Sequence, residues 1–351
     1  MLIFTAPGQG AQTPGFLSPW LELPGVAERL GNWSELAGRD LIRLGTTGGA
    51  EEITDTAVAQ PLLVAAALAV AWLLDEEQPN RTGFAADVAA GHSVGELAAG
   101  AIAGVMSAED AIKLTRVRGE AMAASCDAVP TGMTAVLGGD EDTVLAAIAE
   151  AGLTPANINT AGQIVAGGTL EQLAAFAANP PAGARLRPLR VAGAFHTGHM
   201  APAVDALAAA ASDIAVKDPA ITLLSNRDGA VVTSGTDWLD RISGQVAHPV
   251  RWDRCMATMA GLGVSAFIEL LPGGTLTAIV KRAMPEVERL AIKTPDQLDA
   301  ARGLIAAHSI SEHGVSEHGV SQHGAGKHGS ATHGATSHGA AEHNGLEPKE
   351  A

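Results

Sequence analysis

The sequence predicts an α/β fold: a large subdomain with a mostly parallel sheet, into which a small ferredoxin-like subdomain is inserted. Apolar strand-like segments alternate with alanine-rich helical ones, the order that is typical of parallel sheets. A strand, a glycine-containing turn and a helix follow one another from Val88 onward. Between residues 131 and 191 the order of elements changes. The chain has 351 residues, which is enough for both units.

The large subdomain is expected to consist of residues 1–130 and 192–305. Leu2–Ala6 form a short apolar run that predicts its first buried strand, and the Pro-Gly-Gln-Gly turn ends that strand. After the insertion the same alternation resumes, with further strands predicted at residues 221–224 and 266–270.

Residues 57–74 form the longest apolar run and approach the ~20 residues that a membrane span requires. Gln60 and Pro61 stand near its start. We therefore predict a buried helix with proline in its first turn, and no membrane partner.

Residues 131–191 are predicted to form the ferredoxin-like subdomain. Its order is strand, helix, two short strands, helix and strand, as in the β-α-β-β-α-β motif. The bounded elements are a strand at 134–137, a helix at 140–151, a helix at 169–178 and a strand at 186–191.

Residues 306–351 form a histidine-rich tail that we predict to be disordered, because glycine, serine and alanine occupy most positions between the histidines. The histidines of this tail recur every five residues. This period fits neither a helix nor a strand, so the imidazole rings would not lie together on one face of either element. Two interpretations of the tail remain open: it binds transition metals weakly, or it is a low-complexity extension without a function. No metal is expected in the core. The histidines recur at His308, His313, His318, His323, His328, His333, His338 and His343.

Charge and cysteine content limit the partners and the compartment. Lys plus Arg number 22 against 38 Asp plus Glu, and the resulting charge of −16 argues against a nucleic-acid partner. Cys126 and Cys255 have neither metal-site spacing nor the density of a disulfide framework, and the first residues lack a secretory pattern. We expect a cytoplasmic protein that is a monomer.

The segment Gly91-His92-Ser93-Val94-Gly95 has the pattern of a nucleophile elbow. Its glycines permit a tight strand-to-helix turn that lifts the Ser93 hydroxyl clear of the backbone, at the positive end of the helix. The large subdomain is therefore predicted to be α/β-hydrolase-like.

A serine nucleophile needs a base, because its free hydroxyl is almost entirely protonated at neutral pH. Before the tail, the histidines are His92, His196, His199 and His248. His92 adjoins the nucleophile, so its ring leaves the elbow in another direction and is expected to be structural. His248 precedes a proline and is expected to be extended. His199 either lines the entrance or faces solvent.

The strings PGQGAQ and GHSVGE resemble the malonyl-CoA:acyl-carrier-protein transacylase family, which includes acyltransferase domains of polyketide and fatty acid synthases. The resemblance extends in order through most of residues 1–300. One departure is Leu271-Pro272-Gly273, where the family has Gly-Pro-Gly. The further matches are Gln60-Pro61, Arg118-Gly119, Asn157 with Asn159 and Gln163, GAFH at residues 193–196, Ser225-Asn226, and Gln245 with Pro249-Val250.

The resemblance implies malonyl transfer from malonyl-CoA to the phosphopantetheine thiol of acyl carrier protein through acyl-Ser93, without a metal or redox cofactor. It implies that His196 is the base and that the Gln245 backbone carbonyl orients its ring. The oxyanion hole would consist of the Gln9 and Val94 backbone N–H groups.

Arg118 matches the arginine that binds the malonyl carboxylate in this family. A planar and permanently charged guanidinium suits that task better than lysine. Phe195, beside the base, is expected to crowd the α-carbon and to favour malonyl over methylmalonyl.

Carrier proteins of this kind are acidic, so docking on an acidic enzyme calls for a local cationic surface. The candidates are Arg185, Arg187, Arg190, Lys281 and Arg282, and for each an ordinary solvated face is an equal alternative.

Three other functions remain open from the sequence. A serine esterase or thioesterase shares the elbow and differs in the final acceptor. A malonyltransferase serving a decarboxylase carrier protein would keep the same site. A metal-binding or scaffold protein could use the tail.

Overall fold

The computed structural model describes residues 1–76, 85–127 and 129–310, which form a two-sheet α/β fold. The strands are β1 (Leu2–Ala6), β2 (Val88–Gly91), β3 (Thr131–Gly138), β4 (Thr154–Thr160), β5 (Gln163–Thr169), β6 (Ala184–Pro188), β7 (Thr222–Leu224), β8 (Val231–Val232), β9 (Val250–Arg251), β10 (Ala266–Glu269) and β11 (Glu288–Ala291).

Helices cover both faces of the larger sheet and one face of the smaller. They are α1 (Val26–Ala37), α2 (Leu41–Thr47), α3 (Ala50–Thr54), α4 (Thr56–Glu76), α5 (Gly95–Ile102), α6 (Ala108–Cys126), α7 (Glu141–Glu150), α8 (Leu170–Ala178), α9 (Ala201–Ala211), α10 (Gly235–Gly244), α11 (Trp252–Gly261), α12 (Thr275–Ala283) and α13 (Leu298–Ile310).

The larger sheet has the order β11-β10-β1-β2-β7-β8, and all neighbours are parallel except the β7–β8 edge pair. Every residue of β1 and β2 is buried, as expected for strands covered on both faces. The chain adds β2 and β7 on one side of β1, then β10 and β11 on the other. Ligand sites of such sheets lie beyond the strand carboxyl ends where the order reverses.

Helix α4 is long and apolar enough to cross a membrane, with a mean hydropathy of 2.1 over Thr56–Asp75, yet 89% of that window is buried inside the protein. The prediction of a buried core helix is confirmed. Its start differs, because Pro61 lies in the second turn and not in the first. The cause is Asp55, whose carboxylate accepts from the backbone N–H groups of Ala57 and Val58 and so begins the helix earlier.

The smaller sheet has the order β6-β3-β5-β4, with antiparallel neighbours, as in a ferredoxin-like unit. Alternation along β3 gives the sheet two faces. Val136 packs with the core under α7 and α8, whereas Met133 and Ala135 belong to the core shared with the large subdomain. Asp140 caps α7, and Thr169 begins α8 with a capping box.

Strand β9 joins the smaller sheet from the large subdomain, an extension that the sequence did not predict. It pairs in parallel with β4, and Asn157 lies opposite Val250. This pairing attaches the smaller sheet to β9 of the large subdomain, directly after residues 245–249.

Helix α13 runs to Ile310, so the predicted start of the tail at residue 306 is too early. Buried Ala301 and Ile305 hold the helix against the protein, and alanines continue it. His308 lies on this helix, where its Nδ1 is 3.2 Å from Ser265 Oγ. The other predicted metal-binding histidines, from His313 to His343, lie outside the described residues.

Candidate active site

Ser93 lies at the carboxyl end of β2, where the chain turns sharply into α5. Its φ is 54°, a left-handed conformation that is uncommon for a residue with a side chain. Gly95 is required directly behind it, because a Cβ there would lie 2.2 Å from the Ala6 carbonyl oxygen. The turn thus projects the hydroxyl away from the sheet while α5 stays in close contact with β1.

Asn226, at the carboxyl end of the neighbouring β7, holds this turn in place. Its Oδ1 accepts from the Ser93 backbone N–H at 2.7 Å, and its Nδ2 donates to the Gly91 carbonyl at 2.7 Å. The side chain is fully buried. Its two hydrogen bonds help to offset the cost of the strained Ser93 backbone.

His196 and Ser93 form a hydrogen-bonded pair. Ser93 Oγ lies 2.7 Å from His196 Nε2, and His196 Nδ1 lies 2.9 Å from the Gln245 backbone carbonyl. Because a carbonyl can only accept, Nδ1 carries the proton and Nε2 is left to accept from the serine. A backbone carbonyl and not a carboxylate orients His196, so the arrangement is a Ser-His pair and not a three-residue triad.

Burial, reinforced by the positive charge of Arg118, lowers the pKa of His196 to about 3. The ring is therefore neutral near neutral pH, which is the form that accepts a proton.

Arg118 lies beside the nucleophile with only 1% of its surface exposed. Its Nη2 is 3.3 Å from Ser93 Oγ and 2.7 Å from Gln245 Oε1, and its Nη1 donates to Gln60 Oε1 at 2.6 Å. Burial, opposed by the charge of Glu96, lowers its pKa to about 9, so the guanidinium stays charged at neutral pH. Its direct acceptors are all neutral, which suits it to bind an anionic group.

The site opens into a cavity of about 250 Å³ between the large subdomain and the inner face of the smaller sheet. Ser93, His196 and Arg118 line it on one side, and Met133 with Val165 form an apolar wall on the other. Phe195, the residue before His196, is buried and also lines the cavity.

Gln9 and Val94 line the same cavity. Within residues 1–76, 85–127 and 129–310, neither backbone N–H donates to another group of the protein. Val94 directly precedes α5, so its N–H lies at the positive end of that helix.

The remaining histidines before the tail have other contacts. His92 Nε2 is 2.9 Å from Asn159 Oδ1, and its ring centroid is 5.6 Å from that of Trp252. His92 also lines the cavity that contains Ser93, and burial lowers the pKa of its ring. Its structural role stays a prediction. His248 is exposed and extended, as predicted, and its Nδ1 is 2.7 Å from the Gly244 carbonyl. His199 is half-buried one turn after His196.

The candidate docking residues are all exposed, and two of them lie close to the cavity. Arg185 on β6 and Arg282 on α12 line one surface depression. Arg282 also donates to Gln163 Oε1 at 2.6 Å, and Gln163 lines both this depression and the cavity that contains Ser93.

Gln60, Glu96 and Asn226 had no role predicted from the sequence, although all three stand in the matching strings. Glu96 is buried, accepts from the Asn226 backbone N–H at 3.1 Å, and also accepts from the side chain of Gln245. A visible signal existed for Gln60, a polar residue within an apolar run. Glu96 gave none, because its partners lie more than a hundred residues away along the chain.

The geometry suits acyl transfer through a covalent serine intermediate, with a negatively charged acyl group beside the nucleophile. Among the described residues, no three or more His, Cys, Asp or Glu side chains are grouped in a way that could hold a metal ion.

Comparisons with known proteins agree with this chemistry. Residues 4–309 match the family described as the acyl transferase domain. A Mycobacterium bovis protein named malonyl CoA-acyl carrier protein transacylase is 54% identical over 306 residues, which cover 87% of this chain and 100% of that protein.

Solved structures are similar over the same region. A crystal structure named as MCAT from Mycobacterium tuberculosis has a TM-score of 0.83 at 53% identity, covering 86% of this chain and 99% of the other. A type II PKS acyl-carrier protein in complex with its malonyl-transacylase gives a TM-score of 0.79 at 29% identity, covering 86% of this chain and 99% of the matched chain.

Proposed function

The chain belongs to the acyl transferase family that includes the malonyl CoA-acyl carrier protein transacylases, and we propose that it moves a malonyl group from malonyl-CoA to acyl carrier protein. One observation supports malonyl as the acyl group. A charged guanidinium, that of Arg118, lies 3.3 Å from the Ser93 hydroxyl that would carry the acyl group.

In the first half-reaction, His196 Nε2 accepts the proton of Ser93 as Oγ attacks the carbonyl carbon of the malonyl thioester. The negative charge that develops on the carbonyl oxygen is stabilised by the backbone N–H groups of Gln9 and Val94. When the C–S bond breaks, the coenzyme A sulfur leaves with the proton from His196. The product is malonyl-Ser93.

The second half-reaction runs the same steps in reverse order with a different thiol. The phosphopantetheine thiol of the carrier protein gives its proton to His196 and attacks the acyl-serine carbonyl. The C–O bond to Ser93 then breaks, and the serine recovers its proton from His196. No electrons are transferred in either half, so the proposal includes no redox cofactor, and a metal is not part of it.

Arg118 selects the acyl group by pairing with its terminal carboxylate. Such charge-assisted pairs are strong in a buried site, and they hold the carbonyl carbon near the nucleophile. Phe195 limits the space beside the base and is expected to disfavour an α-methyl group by ~1–3 kcal/mol. The product supplies fatty acid or polyketide synthesis, and we expect a monomeric enzyme in the cytoplasm.

Two alternatives keep the same site but change the acceptor. A serine esterase or thioesterase would release free malonate, and a transferase for a decarboxylase would use a different carrier. The buried charge of Arg118 gives no preference between acceptors, so the acceptor must be tested directly.

The test mixes the full chain with malonyl-CoA and phosphopantetheinylated acyl carrier protein, and follows the malonyl group by mass spectrometry. We expect malonyl carrier protein to form much faster than free malonate, and Ser93→Ala to abolish it. Release of malonate without any malonyl carrier protein would show a hydrolase.

A further inference from the structure

We propose that Glu96 is a positioning residue for Arg118, and that it acts through the side-chain amide of Gln245. The proposal rests on the proposed malonyl transfer and adds to it the residue that orients the carboxylate-binding group. Glu96 touches neither Ser93 Oγ nor Arg118 by any hydrogen bond among the described residues.

A chain of three side chains connects the two groups. Gln245 Nε2 donates to Glu96 Oε2, and Gln245 Oε1 accepts from Arg118 Nη2 at 2.7 Å. An amide has one donor end and one acceptor end, whereas a carboxylate can only accept. Gln245 Nε2 also donates to the Ser93 backbone carbonyl at 3.1 Å, so this oxygen and Glu96 Oε2 hold the Nε2 end. Of the two, Glu96 carries the charge and makes the stronger bond, and together they turn Oε1 toward the guanidinium.

The other anchor of the guanidinium is held less firmly. Gln60 Oε1 accepts from Arg118 Nη1 at 2.6 Å. Among the residues that the structure describes, Gln60 Nε2 donates only to the thioether sulfur of Met122, at 3.4 Å. A thioether is a weak acceptor, so this amide is oriented mainly by Arg118 itself. The orientation of the guanidinium thus depends mainly on Gln245, whose Nε2 is held by the charged Glu96 carboxylate and by the Ser93 carbonyl.

The partners of Glu96 match its ionised form. The Asn226 backbone N–H donates to Oε1 at 3.1 Å, and the Gln245 amide donates to Oε2. Arg118 from α6 faces the carboxylate across Gln245, and the Cys255 thiol from α11 lies on the Asn226 side. Burial raises the pKa of Glu96 to about 7, while these hydrogen bonds and the charge of Arg118 oppose that rise.

The amide spacer has a functional consequence. A carboxylate in direct contact with Arg118 would compete with the malonyl carboxylate for the same N–H groups. With Gln245 between them, Glu96 supplies negative charge to the network and leaves neutral oxygens in contact with the guanidinium. Arg118 is then oriented but not neutralised by direct pairing.

The test compares Glu96→Gln with the wild type, using malonyl-CoA and acetyl-CoA as alternative donors. The glutamine keeps the shape but replaces the charged acceptor with a neutral amide. Gln245 Nε2 is then held mainly by the Ser93 carbonyl, which weakens the preference of its Oε1 for the guanidinium. We expect the malonyl-to-acetyl ratio of kcat/KM to fall roughly tenfold or more, through a higher KM for malonyl-CoA. Acetyl transfer should fall by less than malonyl transfer, because acetyl has no carboxylate to pair with Arg118. The ratio therefore separates a loss of carboxylate binding from any loss that both donors share at Ser93 and His196.

Glu120→Gln is the matched control, because Glu120 lies on the same helix as Arg118 but is half exposed and pairs with Arg116. Its ratio should equal that of the wild type. If Glu96→Gln also keeps the wild-type ratio, the positioning role is overturned.

The wild type gives an independent measurement if the variant fails to fold. The pKa of His196 is about 3 and that of Arg118 about 9, so between pH 8 and pH 6 the ring stays neutral and the guanidinium stays mostly charged. Protonation of Glu96 in this range should lower the malonyl-to-acetyl ratio, and a constant ratio would contradict the proposal. If the wild type forms no malonyl-Ser93 at all, the proposed function fails instead.

Discussion

At Ser93 the chain combines a strained backbone with the position that the chemistry needs. A left-handed φ of 54° costs a residue with a side chain roughly 1–2 kcal/mol. Asn226 binds both sides of the turn, at the Ser93 N–H and the Gly91 carbonyl, and so supports this conformation. The strain is kept because the alternative backbone would turn Oγ away from His196.

Arg118→Ala tests whether this guanidinium binds the acyl carboxylate. The variant loses a charge-assisted pair worth ~1.5–3 kcal/mol, so malonyl transfer should fall by a factor on the order of 10 to 100. Acetyl transfer should be spared, since acetyl has no carboxylate. The measurement is kcat/KM for both donors, with Arg116→Ala on the same helix as the control. Equal losses for the two donors would exclude Arg118 as the carboxylate site.

The low pKa of His196 predicts a specific dependence of stability on pH. Its folded pKa of about 3 lies below the ordinary value of 6.5, so the unfolded chain binds the extra proton first. The neutral ring therefore contributes stability above pH 6.5 that is lost as the pH falls toward 3.

Urea unfolding of the wild type and of His196→Ala between pH 7 and pH 4 would measure this contribution. The wild type should lose more free energy of unfolding than the variant over that range, and exposed His248→Ala should behave like the wild type. Parallel curves for the wild type and His196→Ala would contradict the assignment.

The residues that we propose to carry the chemistry could be selected from the sequence because short local strings contain them. Ser93 and Val94 lie in one string, Gln9 in another, and His196 with Phe195 in a third. The roles of Gln60, Glu96 and Asn226 were not predictable, because each depends on a contact between distant segments. A single sequence shows which residues are present but not which amide faces which carboxylate.

At the scale of elements, the close contact between α5 and β1 sets the position of Ser93 Oγ relative to the larger sheet. Gly95→Ala would place a Cβ 2.2 Å from the Ala6 carbonyl oxygen, so the helix would have to move. We expect it to destabilise the fold by ~1–3 kcal/mol and to abolish covalent acylation. Thermal unfolding and labelling of Ser93 check the two effects.

Gly31→Ala provides the matched control, since a Cβ at this position in α1 meets nothing within 4 Å. There the same change should stabilise the helix by up to about 1 kcal/mol. A Gly95→Ala variant that behaves like Gly31→Ala would show that the close approach is not required.

Elements with a clear apolar or periodic pattern were predicted well, and the shortest strands were not. The strand at residues 2–6 has the predicted bounds, and the helix predicted at 169–178 begins within one residue of α8. The two-residue strands β8 and β9 were missed, because such short segments carry no periodicity and exist only through their pairing. Helix α13 continues past the predicted boundary because packing against the core extends it.

At the scale of the whole molecule, the smaller sheet closes a cavity over a site that the large subdomain builds. The chain carries a net charge of −16, so an acidic carrier protein would be repelled by most of its surface. The exposed arginines Arg185 and Arg187 of β6 and Arg282 of α12 are the described cations that we expect to guide it to the cavity.

Arg185→Glu and Arg187→Glu together should raise the KM for carrier protein at low salt while leaving acylation by malonyl-CoA unchanged. The effect should shrink as ionic strength rises, because salt screens exposed charges. Steady-state transfer at two salt concentrations measures it, with Arg116→Glu as the control. An unchanged KM at low salt would remove both residues from the docking surface.

The most direct test of the account is intact-protein mass spectrometry after mixing with malonyl-CoA alone. The wild type should gain the mass of one malonyl group, peptide mapping should place it on Ser93, and later addition of carrier protein should remove it. Ser93→Ala should gain nothing. The central claim that Ser93 carries the acyl group would be contradicted by either of two results. The wild type remains unmodified, or the Ser93→Ala variant is labelled to the same extent as the wild type.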